Sequence, residues 1–218
     1  MWTSRLVLLW ITFFALNPGL QNPRRPDPTQ KPVAMEAQNT TSTNYLAALF
    51  RNAGLWGGIE SYKSDCTVSP EMHLPAVSTN VGDALIHLRS QDNSVAWSVD
   101  GDGILVRKNA PTTSLLDTNV GDFSFNKHNR AEEPTARLLN LPTIRARMAE
   151  LKLEGRAPEI GFAQAQPILK PEDQITLKDP TFRQALNSIA SVNHGRVWLF
   201  EQTVCAGQNT LLIQWLVK

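Results

Sequence analysis

The residues best able to do chemistry in this 218-residue chain are four histidines and two cysteines. The histidines lie far apart and show no metal-ligand spacing, so we expect neither a metal site nor a cofactor. The chain has no Cys-x-x-Cys, His-Glu-x-x-His or Gly-x-Ser-x-Gly motif, and no glycine-rich phosphate loop with lysine. We therefore predict no catalytic residues. The histidines are His73, His87, His128 and His194.

An exported hydrolase is the enzymatic alternative that stays open. Its site would be assembled from scattered residues that no local motif reveals. His128, near Asp122 and Lys127, is the conceivable catalytic pairing.

Cys66 and Cys205 are the only cysteines. An even pair in an exported chain favours a disulfide, which would join two distant parts of the sequence. The competing interpretation is two loop thiols too far apart to join.

A helix and hairpin pattern occurs twice, at positions 101 residues apart. Ala84, Leu85, Ser90 and Trp97 are identical to Ala185, Leu186, Ser191 and Trp198. In each copy an amphipathic helix precedes a tryptophan-bearing strand, a turn and a second strand. The predicted core of the repeat is Val81, Ala84, Leu85, Leu88 and Trp97 in the first copy, and Phe182, Ala185, Leu186, Ile189 and Trp198 in the second.

The start of the chain resembles an export signal. Arg5 precedes an apolar run over residues 6–16 that is too short to span a membrane. We predict a signal peptide or an N-terminal anchor over 1–19, and a disordered proline-rich linker over 20–44. If the first segment stays uncleaved, the protein is a membrane-tethered structural module.

The remaining sequence predicts an α+β fold of two small units. Residues 45–108 and 141–218 each hold a helix followed by a Trp-bearing β-hairpin, and 109–140 form an irregular connector. Trp97 and Trp198 are expected in the core. Trp56 lies in a glycine-rich corner, where we expect an exposed, partner-binding aromatic side chain.

The first unit resembles the short N-terminal domain of secretins and TonB-dependent receptors. The residues that carry the resemblance are 46–54, Gly58-Ile59, 81–88 and 95–106, with a weaker echo in 141–217. The resemblance implies a small periplasmic α+β domain that makes protein contacts and has no catalytic residues. We expect no secretin channel or outer-membrane barrel to accompany it.

These observations predict a non-enzymatic exported binding module, periplasmic or secreted. Its partner is expected to be another envelope protein or a polymer. The net charge of +1 comes from 21 basic residues scattered among 20 acidic ones, which argues against nucleic-acid binding.

Overall fold

The computed structural model describes residues 26–64, 66, 69–109, 111, 114–156, 170–193 and 196–216. Their five α-helices carry buried apolar residues, and four of them end at a polar or small C-cap residue. Asn80 caps α2 through the backbone N–H of Asp83. Thr181 and Gln184 form a capping box at α5, so this helix begins after Thr181. The helices are α1 (Ser42–Asn52), α2 (Val81–Gln91), α3 (Glu132–Leu139), α4 (Pro142–Glu150) and α5 (Phe182–Val192).

The described part of the chain also contains twelve β-strands. They are β1 (Pro32–Met35), β2 (Gln38–Thr40), β3 (Gly57–Lys63), β4 (Met72–Leu74), β5 (Val77–Asn80), β6 (Val95–Asp100), β7 (Gly103–Lys108), β8 (Phe123–Asn126), β9 (Leu153–Arg156), β10 (Gln174–Leu177), β11 (Val197–Cys205) and β12 (Gln208–Leu216). Six of them form one sheet in the order β6-β7-β3-β11-β12-β9. The others form the pairs β1-β5, β2-β4 and β8-β10.

The sheet separates two hydrophobic layers because successive strand residues point to opposite faces. Helices α1 and α2 cover one face and pack on Ile59, Ile104 and Val106. Helices α3, α4 and α5 cover the other face and pack on Phe200 and Ile213. The prediction of an α+β fold is confirmed, and the two predicted units share one continuous sheet.

The two halves of the sheet are related by a screw operation. The first half contributes the hairpin β6-β7 and then β3, the strand that follows α1. The second half contributes the hairpin β11-β12 and then β9, the strand that follows α4. In both halves this last strand runs parallel to the second hairpin strand. Because β3 and β11 are also parallel, every strand of the second half runs opposite to its counterpart. A half-turn about an axis in the sheet, perpendicular to the strands, with a shift of three strands, superposes the two arrangements.

Two segments that we predicted to be irregular are folded. The linker prediction for 20–44 is wrong within the described residues, because β1 pairs with β5 and buries Val33 and Met35. The connector prediction for 109–140 is also wrong. This segment contains β8 and α3, and Phe123 and Phe125 belong to the core. In both segments the strand's partner lies far along the sequence, so no local pattern reveals it.

The predicted disulfide between Cys66 and Cys205 is confirmed. Its Cα atoms lie 5.0 Å apart, and the two residues are 139 positions apart in the sequence. Cys66 follows β3 and Cys205 ends β11, which is the neighbouring strand. The bond therefore joins the two halves of the chain where they meet in the sheet.

The predicted signal or anchor at 1–19 lies outside the described residues. Within the described part of the chain, no helix is both long enough and apolar enough to cross a membrane.

We predict that replacing both cysteines by serine lowers the free energy of unfolding by roughly 5 kcal/mol, because a loop of this length loses much denatured-state entropy when it is closed. Urea unfolding of the oxidised protein and of the double variant measures the difference. Equal midpoints would contradict the account. Reductant added to the double variant is the control and should change nothing.

Candidate functional site

The strands β3 and β11 meet at the centre of the sheet, which we call the inner junction. Their parallel register runs from Gly57 opposite Val197 to Lys63 opposite Thr203. The ring of Trp198 lies against Gly58, where any Cβ atom would collide with the indole. The inner junction therefore depends on a glycine on one strand and a tryptophan on the other.

Polar contacts secure the same junction from the side of α5. Trp198 donates its indole N–H to Asn187 Oδ1 at 3.0 Å, and Asn187 donates to Asp100 Oδ2 at 2.7 Å. Trp198 is fully buried, so its N–H needs this partner. The chain of hydrogen bonds links the second half to the first hairpin.

A buried ion pair crosses the inner junction as well. Arg183 on α5 donates two hydrogen bonds to the carboxylate of Glu60 on β3, from Nε to Oε1 at 2.5 Å and from Nη2 to Oε2 at 3.1 Å. It also donates a hydrogen bond to Asp117. Glu60 has no solvent-exposed surface, and Arg107 lies 3.5 Å from it. Burial alone would lower the pKa of Arg183, but its hydrogen bonds to the two carboxylates raise that pKa above its usual range. Arg183 therefore stays charged and compensates the buried carboxylate.

Tyr62 lies on the same strand and shares the same buried environment. Its hydroxyl is 2.5 Å from Ser114 Oγ. Burial raises the pKa of Tyr62 to about 12, so it remains a neutral hydrogen-bonding group at physiological pH. The Tyr62 hydroxyl therefore adds a buried hydrogen bond beside the inner junction.

Strand β6 lies at an outer edge of the sheet. Under the repeat it corresponds to β11, and its outer side corresponds to the side of β11 that pairs with β3 at the inner junction. Among the described strands, β6 pairs with β7 alone. Under the offset of the repeat, Ile86, Trp97 and Val99 correspond to Asn187, Trp198 and Phe200. The second set is buried, whereas Ile86 is 59% exposed, Val99 is 48% exposed and Trp97 is half-buried. Apolar side chains thus occupy exposed positions whose counterparts are covered by a neighbouring strand and helix.

The backbone of β6 also presents unpaired groups at this edge. The hairpin closes at the pair Asp100–Gly103, around the two-residue loop Gly101-Asp102. In such a hairpin the closing pair is hydrogen-bonded and the pairs then alternate. Trp97 and Val99 consequently direct their N–H and C=O groups away from β7, toward the outside of the sheet.

An arginine side chain lies beside the tryptophan of this edge. The guanidinium carbon of Arg89 lies 5.9 Å from the centre of the Trp97 ring, within the range of a cation–π contact. Residues 95–99 themselves carry no charge and no proline, which are the usual devices that protect an edge strand from pairing. We call the outer side of β6 with Ile86, Arg89, Trp97 and Val99 the edge patch.

The structure places the predicted site residues in two groups. The repeat residues of α2 and α5, together with Trp198, are buried, while Trp97 lies at the edge of the sheet. The expectation of an exposed Trp56 is wrong. Its side chain is 8% exposed, its indole N–H donates to Asp102 Oδ1 at 2.7 Å, and its ring fills the space beside Gly103. Trp56 is therefore a core residue, and a glycine distant in sequence makes room for it.

The histidines do not form a centre with metal or acid–base geometry in the described residues. No group of three or more His, Cys, Asp or Glu side chains there is placed to hold a metal ion. His128 Nε2 lies 3.4 Å from Asp173 Oδ1, while Asp122 pairs with Lys178. His128 therefore lies against Asp173, which also pairs with Lys127, and not against Asp122. His194 lies outside the described residues.

Comparison with known proteins adds no relative to this description. No family model, no curated protein and no solved structure matches the chain. The edge patch escaped the sequence analysis because the two tryptophan strands look alike locally. Only the strand order distinguishes the covered copy from the exposed one.

We predict that Arg183→Met costs about 3–5 kcal/mol of stability, because it leaves the Glu60 carboxylate buried without its main partner. Replacing both residues, as Glu60→Leu with Arg183→Met, should restore much of the loss. Urea unfolding measures both variants.

Lys178→Met is the matched control, since it removes a lysine from the exposed pair with Asp122. It should leave the unfolding midpoint nearly unchanged. If Arg183→Met behaved like this control, the buried pair would not secure the inner junction.

Proposed function

We propose that this protein is a non-enzymatic, exported interaction module that binds a protein partner by strand addition at the edge patch. In strand addition, a partner strand extends the sheet through backbone hydrogen bonds, while side chains on alternate positions provide specificity. The observation that carries the proposal is the exposure of Ile86 and Val99 on an edge whose internal counterpart is fully covered.

Export is part of the proposal and has two supports. The disulfide fits an oxidising compartment, since cytosolic thiols are normally kept reduced. The apolar run at 6–16 after Arg5 is typical of a signal sequence. The resemblance to the short N-terminal domain of secretins and TonB-dependent receptors is consistent with a periplasmic protein that works through protein contacts.

The uncharged run 95–99 of β6 favours a protein strand over other occupants. Its outward backbone groups match another strand, and the aromatic and aliphatic side chains beside them are typical of the centre of an interface. A nucleic acid would instead need a concentrated positive field, and the chain is nearly neutral.

Site-specific photo-crosslinking in the native compartment tests this proposal. A photoreactive side chain at Val99 should give a covalent adduct with a protein partner. The control is the same side chain at Val204, which is 43% exposed on β11 beyond the end of β3. Adducts of equal yield from both positions, or none from Val99, would contradict the proposal.

A further inference from the structure

We propose that the partner segment at the edge patch is an extended protein strand that runs parallel to β6, with a glycine opposite Trp97 and an apolar residue opposite Val99. This inference rests on the proposed function and names the chemistry of its partner. Its structural basis is β3, which occupies the corresponding place beside β11 at the inner junction.

The repeat includes the elements that surround this place. In each half a short 3₁₀ helix precedes a strand, β1 or β8, that pairs with the strand before the last helix of that half. These 3₁₀ helices are Pro28–Gln30 and Leu115–Asp117. The last helices also begin with the same backbone contact. The N–H of Val81 donates to the carbonyl of Lys31 at 3.0 Å, and the N–H of Phe182 donates to that of Thr118 at 2.8 Å.

In the second half, α5 and its 3₁₀ helix extend over β3. Helix α5 contacts β3 as well as β11, and Ser114 at the start of the 3₁₀ helix meets the hydroxyl of Tyr62 on β3. In the first half, α2 contacts β6, and a Cβ atom on Gly82 would lie 3.3 Å from Thr29 Cβ in the other 3₁₀ helix. By this correspondence we expect α2 and its 3₁₀ helix to cover the place of one further strand beside β6.

The direction of a strand in that place follows from β3, which runs parallel to β11. The β11 hairpin closes at the pair Cys205–Gln208, so Trp198 and Phe200 direct their N–H and C=O groups toward β3. Trp97 and Val99 are the corresponding residues of β6, and their outward groups match a parallel partner in the same way.

The glycine of the partner strand follows from the tryptophan that it meets. At the inner junction Gly58 is opposite Trp198, and a Cβ atom there would come within 2.1 Å of the indole ring. Trp97 occupies the corresponding position of β6 and packs on the face of α1 and α2, where Arg89 contacts its ring. A side chain opposite Trp97 would collide with the ring, so this position requires glycine.

The residue two positions further along differs from its counterpart in β3. That counterpart is Glu60, whose buried carboxylate is compensated by Arg183 on α5. The residue of α2 that corresponds to Arg183 is Gly82, which offers no cation. A carboxylate would be buried there without a partner, whereas an apolar residue would cover the exposed side chains of Ile86 and Val99.

The residue between these two points to the opposite face of the sheet. There it would lie beside Ser98, which is exposed and polar. The expected sequence of the partner strand is therefore a glycine, a polar residue and an apolar residue.

NMR titration of the isotope-labelled, disulfide-bonded full chain with a synthetic peptide tests the inference. The peptide has the sequence of residues 57–63 with Ile59→Thr and Glu60→Leu, which gives β3 the expected pattern. The amide signals of Trp97 and Val99 should shift and saturate. The same peptide with Gly58→Val should bind at least roughly tenfold more weakly, because its side chain collides with the indole, and so should the peptide that retains Glu60.

Variants of the protein locate the peptide and give its direction. Val99→Lys should weaken binding at least roughly tenfold, since the contact would bury an unpaired ammonium group. Val204→Lys is the matched control, because it changes the same residue type at similar exposure, and should bind like the unmodified protein. A spin label on the first residue of the peptide should broaden the amide signal of Val95, and a label on the last residue should broaden that of Gly101.

Three outcomes would overturn the inference. They are unshifted Trp97 and Val99 signals at about 1 mM peptide, equal binding of the Gly58→Val peptide, and the reverse pattern of broadening, which indicates an antiparallel strand. If photo-crosslinks from Val99 nevertheless reach a protein partner, strand addition at the edge patch stands and only this chemistry of the partner strand is excluded. If those crosslinks are also absent, both proposals fail.

Discussion

The parallel pairing of β3 with β11 is the interaction on which the rest of this structure depends. It joins strands from opposite halves of the chain, and three separate devices secure it. The Trp198 ring packs on Gly58, Arg183 neutralises the buried Glu60, and a disulfide links the segment after β3 to the end of β11. Without this junction the sheet would divide into two three-stranded pieces, each with a long exposed edge.

Corresponding positions in the two halves differ according to whether a neighbour covers them. At the covered position the chain uses Asn187 to satisfy the indole N–H of Trp198. At the uncovered position it carries Ile86, an apolar residue that nothing in the described chain buries. An exposed isoleucine beside an uncharged edge strand is unfavourable in an isolated molecule and favourable in a contact. This difference is the physical reason to regard the outer edge as a binding surface.

The sequence was informative where structure is determined locally. The helical spacing and the hairpin that follows it each act within a few residues, and both predictions describe real elements in each half. The errors concern distant partners. Strand β1 needs β5, and Trp56 needs the space beside Gly103, neither of which periodicity can reveal. Trp97 and Trp198 share a local pattern, so only the strand order separates the edge residue from the core residue.

Backbone hydrogen exchange at four amides tests the central claim most directly. The amides of Trp198 and Phe200 face β3 and should be protected at every protein concentration. The amides of Trp97 and Val99 face the outside of the sheet and should exchange rapidly in the isolated protein, because no described strand pairs with this side of β6. Protection of the Trp97 and Val99 amides in the isolated protein would contradict the account, and so would rapid exchange at Trp198 and Phe200.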